Sequence, residues 1–391
     1  MATTTSLKPP PWRDVRVLRI VGQVLFLIVV GLIFREMFLN ATFQLDERGR
    51  ELSYDFLETR AGFSIKEHVV PYSQNRDYLA AFIVAVTNSM VVAAVGIVLT
   101  TILGVFLGIA RLSPNWLLRK ITQTYVEIIR NTPALLQIIF WYVAVFLAIP
   151  RIQGSWSLFG VVFVSNRGAA VPAVRGGADF GMWLGVVLLG FVAAALVWRR
   201  RTKVFDETGK PHYRILAASG TVLAVAALGY LVLGDPFGIE KPQLGERNYI
   251  GGIQVSPEFA GVLVGLVVYT AAFIGEIVRG SILAVSKGQK EAAEAIGLRP
   301  GQQLRFVVLP QALRVAVPPI TNQYLNFWKN TSLAFAIGYP DLINVSTTMI
   351  NQAQHELEVF SLVVLAYLTT SLVLSLVMNL FNRAIALKGA R

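Results

Sequence analysis

Between Asp77 and Arg111 the chain carries no Asp, Glu, Lys or Arg, and the run from Tyr78 to Ala110 is dominated by Val, Ala, Ile, Leu and Gly. As a helix, that run is longer than the roughly 30 Å of hydrocarbon in a bilayer, where only internal hydrogen bonding can satisfy a backbone. Further apolar runs extend over Asn131 to Pro150, Phe180 to Trp198, Ile215 to Gly234, Phe259 to Gly275 and Val359 to Asn382. A shorter one, Ile20 to Phe34, is flanked by Arg16, Arg19 and Arg35, whose charges can snorkel toward headgroups. No clear small-x-small cleavage site follows it, so it reads as a span rather than a cleaved signal peptide. Only 15% of the 391 residues are charged, against about 25% in a typical soluble domain, so an ordinary water-soluble fold is excluded.

The net charge of +12 lies in short stretches between apolar runs, which points to membrane topology rather than a nucleic-acid face. Seven runs leave the two ends on opposite sides, and the basic residues ask for an eighth crossing between Arg314 and Asp341. With eight crossings, 23 basic residues fall on one side with both termini and 11 on the other, so that richer side is expected to be cytoplasmic. Asp46, Glu47, Glu51, Asp55, Glu58, Glu67 and Asp77 then share one external segment, long enough to fold locally.

The eighth crossing, Val315 to Gly338, is poor in apolar residues. Asn322, Asn326 and Lys329 form one stripe on a helix, and a polar stripe at membrane depth must face protein or water. A substrate path and interhelical hydrogen bonding both satisfy that demand. On the preceding span Tyr269, Phe273 and Glu276 share a face; Glu276 can neutralise a cationic group or pair with Arg279 three residues on.

Between these spans the chain alternates helix-forming stretches with breakers. Lys287, Gly288 and Gln289 precede a short helical piece through Glu291, Ala292, Ala293 and Ala295. Gly297 is expected to cap it, Pro300 to start the next turn, and Pro310 to end an amphipathic segment over Gln302 to Leu309. The order Glu291-Ala292-Ala293, three residues, Gly297, nine residues, Val307, one residue, Leu309-Pro310 resembles the EAA loop of ABC importer permeases, with Val307 where Ile is usual. Tyr125-Val126-Glu127, Arg130, Thr132-Pro133 and Gln137 resemble a signature of polar amino-acid importers of the histidine, glutamine and arginine type. So do Glu276-Ile277, Arg279-Gly280, Leu309-Pro310-Gln311-Ala312 and Lys329-Asn330-Thr331-Ser332-Leu333, where Asn330 replaces a common Asp.

The resemblance covers about residues 78–150 and 257–382, and the added helices are similar to those of larger permeases for general L-amino-acid uptake. It implies an all-α integral membrane protein with the transmembrane fold of a type I ABC importer: five core helices, one N-terminal helix and two inserted ones. The expected segments are 1–40, an N-terminal helix; 41–77, a periplasmic loop; 78–150, the first part of the core; 151–256, periplasmic loops with the inserted helix pair; and 257–391, the second part, with the coupling loop at 280–317. Lys287, Gly288, Gln289, Glu291, Ala292, Ala293, Gly297 and Pro310 take the ATPase-coupling role by this resemblance. The implied partners are two copies of an ATP-binding subunit carrying ATP and Mg, a second permease forming a heterodimer with this chain, a periplasmic amino-acid-binding protein and the bilayer of a bacterial inner membrane. Nucleic acid is not among them.

The sequence itself lacks a G-x4-GK[ST] phosphate loop; Gly209-Lys210 is followed by proline, so ATP hydrolysis is assigned to another chain. It has no cysteine, and its three histidines are far apart, so no metal or cofactor of its own is expected. An ion-coupled secondary transporter would use an intramembrane Glu or Lys but has no need of the EAA spacing. An intramembrane enzyme with Glu276 and Lys329 as acid and base has no further sequence support. The expected substrate path comprises Gln137, Tyr269, Phe273, Glu276, Asn322, Asn326 and Lys329, where a carboxylate and a cation could meet the ends of a zwitterion.

Overall fold

The computed structural model describes residues 10, 12–47, 52–177, 179–208, 213–234, 236–246 and 248–385. The Gly209-Lys210 pair, His212 and the basic residues after 385 lie outside the described residues. From the N-terminus, α1 spans Val15–Glu47, α2 Tyr78–Ala110, α3 Trp116–Arg130 and α4 Ala134–Ile139, which continues as a π-helix over Phe140–Phe146. Helices α5 (Phe180–Thr208), α6 (Arg214–Leu233) and α7 (Pro257–Leu283) follow. The chain ends with α8 (Lys287–Ala295), α9 (Pro300–Gln303), α10 (Leu309–Asn330), α11 (Leu342–Ala353) and α12 (Glu356–Ile385). Among the described residues, six helices (α1, α2, α5, α6, α7 and α12) are long and apolar enough to cross a membrane, and α3 with α4 adds a seventh if that pair, bent by 108°, is one span. The eighth candidate exists as α10 and the 3-10 turn after it, and it carries Pro318 and Pro319 within the helix.

One local expectation is corrected here. Asn131 to Pro150 does not form a helix throughout: Asn131 and Thr132 turn the chain, and helix resumes only after Pro133, because a proline disfavours helical backbone before it. Residues 116–130, before that turn, form a strongly amphipathic helix capped by the Asn115 side chain, which accepts from Leu117 and Leu118 N–H at 3.0 and 3.2 Å.

At the centre lies α7, against which α2, the α4 segment and α10 all pack. Lipid offers little hydrophobic drive between helices, so close backbone approach through small residues does the work. A Cβ on Gly108 would stand 2.7 Å from the Gly275 carbonyl oxygen, and Thr100 Oγ1 donates to the Val267 carbonyl at 3.2 Å along the same seam. On α10, Ala316, Ile320 and Tyr324 face Ile274, and Tyr324 shares a hydrogen bond of 2.7 Å with Thr101.

Residues 52–77, expected outside, pack on the ends of α2, α11 and α12. Asn88, fully buried in α2, ties them down: Nδ2 donates to the Glu67 and Pro340 carbonyls at 2.8 and 2.9 Å, and Oδ1 accepts from Val69 N–H at 3.4 Å. The segments flanking the inserted helix pair, expected as loops, form short strands. Strands β1 (Trp156–Leu158), β2 (Val162–Ser165) and β3 (Gly168–Val171) pair antiparallel in chain order. The chain then enters β4 (Ala173–Gly176), crosses α5 and α6, and returns as β5 (Phe237–Glu240), paired with β4. A further pair, β6 (Gln243–Leu244) with β7 (Tyr249–Ile250), leads to β8 (Ile253–Val255), which closes the first sheet beside β3. Helices α5 and α6 pack chiefly on each other, with Trp183 Nε1 donating to the Ala226 carbonyl at 3.0 Å.

Candidate functional site

The segment after α7 is built as a rigid handle. Helix α8 ends in a reversal in which Leu298 N–H donates to the Ala293 carbonyl at 3.1 Å and Gly297 N–H to the Glu294 carbonyl at 2.9 Å. Gly297 has φ +79°, a conformation that penalises any residue with a Cβ. Pro300 then opens α9, as its fixed φ favours, and Gln302 Oε1 accepts from Arg299 N–H at 2.9 Å.

Pro310 does not end a segment, as the sequence suggested. It sits in the first turn of α10, directly after a π-helical turn over Leu304–Val308, so helical backbone runs on from α9 into α10. A proline lacks the N–H for the usual bond, and the π turn is where the ladder absorbs that loss, with Leu309 N–H reaching Leu304.

The handle is exposed on one side and fixed on the other. Ala293 is buried, Val285, Val308 and Ala312 form a cluster with Ile282 across the two ends of the segment, and Gln311 Nε2 reaches Gln289 Oε1 at 3.3 Å. Lys287, Gly288, Glu291 and Ala292 face outward, with Lys287 paired to Glu291 at 3.2 Å. Ile296 is 76% exposed and Phe306 60%, apolar surface that the rest of the described chain leaves uncovered.

A second group lies around Glu276. Its carboxylate is held by Arg279, at 2.6 Å between Nη2 and Oε1, and also by Arg111 beyond the end of α2. Both options read from the sequence therefore coexist. Arg130, at the end of α3, lies over the Phe273 ring at 5.1 Å, and Phe273 contacts Tyr269 with centroids 5.0 Å apart. Phe273 and Glu276 line a cavity of 350 Å³ with Arg111, Glu127, Arg130 and Asn131. The guanidiniums and carboxylates around that space complement a small molecule carrying both charges.

The other expected path residues lie elsewhere. Gln137 is buried at the bend, its Nε2 donating to the Ile129 and Thr132 carbonyls at 2.9 and 3.1 Å while its Oε1 has no hydrogen-bond partner among the described residues. Asn322, Asn326 and Lys329 form an exposed stripe on α10, outside the cavity and distinct from the α10 face that meets α7. Sequence reasoning did not bring Arg111 and Arg130 to Glu276 and Phe273; the Arg130 signature was a signal, whereas Arg111 gave none beyond its sign.

The family described as the binding-protein-dependent transport system inner membrane component matches residues 187–388. A putative amino-acid ABC transporter permease protein, YhdX of Escherichia coli, is 40% identical over 366 residues, 93% of this chain and 93% of its own length. The general L-amino acid transport system permease protein AapQ of Rhizobium johnstonii is 40% identical over 350 residues, 89% of this chain and 87% of its own. The glutamate/glutamine/aspartate/asparagine transport system permease protein BztB of Rhodobacter capsulatus is 38% identical over 396 residues, 93% of this chain and 92% of its own.

Proposed function

The chain belongs to the family of binding-protein-dependent transport system inner membrane components, and from that premise we propose how this permease subunit of an ATP-driven amino-acid importer couples and conducts. Helix α8 and the Gly297 reversal are the surface received by a separate ATP-binding subunit, two copies of which serve the assembly. Nucleotide and Mg belong to those subunits. A second permease completes the membrane part, and a periplasmic binding protein delivers the amino acid. Lys287, Gly288, Gln289, Glu291 and Ala292 make the contact, Ala293 anchors the helix, and Pro310 sets its splice into α10.

The observation that carries this reading is the handle itself: an exposed short helix with apolar neighbours Ile296 and Phe306, joined by the hydrogen-bonded Gly297 reversal to α9, which runs through the π turn into α10, a helix that packs on α7. A push on α8 therefore passes through the hydrogen-bonded reversal into α9 and α10, which packs on the helix that lines the polar cavity. Phe273 and Glu276, with Arg111 and Arg130, are the polar step of the path; Tyr269 supports the Phe273 ring, and Gln137 holds the bend that carries Arg130 and Asn131. The exposed stripe Asn322, Asn326 and Lys329 lies outside that cavity and is the face of α10 offered to the second permease.

Gly297→Val tests the coupling. It forces a Cβ into left-handed backbone, at a cost of about 1–2 kcal/mol, and misplaces α8. Uptake into vesicles is expected to fall at least about tenfold while the amount of inserted subunit is unchanged; full uptake with the ATPase still co-purifying would remove the assignment. Glu276→Ala tests the path: it strands Arg111 and Arg279, and uptake should drop with ATPase binding intact.

A further inference from the structure

On the opposite face a larger cavity, of 700 Å³, lies where the first external loop, the four-stranded sheet and the start of α7 meet. Lys66, Glu67 and His68 come from the loop, Arg167 from the β2–β3 turn, and Ser256 and Glu258 from the start of α7, with Tyr142 of the π-helix at the base. Neither the handle nor the cavity at Glu276 uses any of them.

The charges here are unevenly satisfied. Glu67 accepts from the Ser256 hydroxyl, and Glu258 Oε1 takes Lys66 Nζ at 3.2 Å. Glu258 Oε2, by contrast, is buried and accepts no well-aligned hydrogen bond among the described residues, with the Tyr142 hydroxyl the nearest donor beside the carboxylate, and the Glu258 side chain is only 16% exposed. A buried acceptor left without a donor is unfavourable unless something completes it. On the sheet side Arg167 is exposed; only its backbone N–H is engaged, by Ser165 Oγ, and its guanidinium has no ion pair among the described residues.

Resting on the amino-acid import reading, we propose that this cavity is an outer binding site for free amino acids, holding the zwitterion between Glu258 and Arg167 before it enters the membrane path. The α-ammonium donates to Glu258 Oε2, and the α-carboxylate takes the Arg167 fork. The volume lies within the usual range of small-molecule sites and exceeds what one amino acid fills, so side chains of different size are accommodated. Recognition falls on the two charges that all such substrates share, which favours breadth over selectivity. Much of the wall comes from residues 151–256, the region that also carries the inserted helix pair, which gives that region a role at the outer face.

The test uses the complete importer, both permeases with their ATPase subunits, in nanodiscs without the binding protein. Radiolabelled L-glutamine is expected to bind saturably, with affinity reduced about tenfold or more in Glu258→Gln and in Arg167→Ala. Arg167→Lys should retain part of it, and N-acetyl-L-glutamine, which lacks the ammonium, should fail to compete. Wild-type binding in both variants overturns the proposal, as does loss of binding only when Glu276 is replaced. Weakened capture of the binding protein with unchanged L-glutamine binding makes the cavity a protein-docking surface and overturns it too. ATP-driven uptake from loaded binding protein by the unmodified importer is measured in parallel; its absence would instead remove the transport reading.

Discussion

Glu67 shows how one side chain couples the segment 52–77 to its surroundings. Burial raises its carboxyl above the usual carboxylate range; the Ser256 hydroxyl opposes that shift and the nearby Glu258 adds to it. Because the folded value is raised, the packed loop binds the proton more tightly than the released one. Its docking is therefore strongest below the unfolded carboxylate value and weakens as pH rises through the raised folded value. Hydrogen exchange of the backbone at residues 52–77 should show more protection as pH falls through that window, once intrinsic exchange is corrected. Glu67→Gln should flatten the dependence; an unchanged profile in that variant would assign it to another group. At this scale some contacts were legible and others were not. Glu276 with Arg279 followed from helical spacing, and Gly297 from a glycine after a short helix. Arg111 with Glu276 and Glu67 with Ser256 pair residues that are distant in the chain, and no local pattern marks them.

Among elements, the informative ones are those that depart from a straight helix. The bend between α3 and α4 is written in Thr132-Pro133, yet the sequence reading ran a span across it because the apolar run continues past the proline. Hydropathy measures how well a segment suits lipid, not the direction in which it runs. Pro310 carries a similar lesson: it sits in the first turn of α10, where a proline is tolerated, and the π turn before it carries the backbone on from α9. Pro310→Ala should let the ladder close as ordinary α-helix, turning α8 about 100° around the axis of α10. The chain has no cysteine, so Glu294→Cys and Leu380→Cys accept spin labels on α8 and α12 without background. A changed label-to-label distance on adding Pro310→Ala is expected; an unchanged one would show that the π turn does not depend on the proline.

For the whole molecule, the α2–α7 seam is the contact on which the others build, because α4 and α10 dock onto the helix it positions. Gly108→Val places a Cβ where the Gly275 carbonyl oxygen and Val278 already stand, both 2.7 Å away. Overpacking of that kind costs about 1–3 kcal/mol. Thermal unfolding of the purified assembly should occur at lower temperature, with uptake reduced in proportion to folded protein; a variant as stable as the parent would mean the seam has slack. Helix α1 is the contrast: its membrane window is wholly unburied within this chain.

From the sequence alone came the membrane class, most of the crossings, and the handle with its glycine reversal. Each depends on the composition or spacing of neighbouring residues, and both lipid partition and helix capping are decided within a few turns of chain. Tertiary structure alone decided that Arg111 and Arg130 meet Glu276 and Phe273, that Asn322, Asn326 and Lys329 stay outside their cavity, and that strands flanking α5 and α6 help to wall a second one. Those outcomes follow from how closely helices approach and which faces they turn to each other, and that packing is settled between segments far apart in the chain.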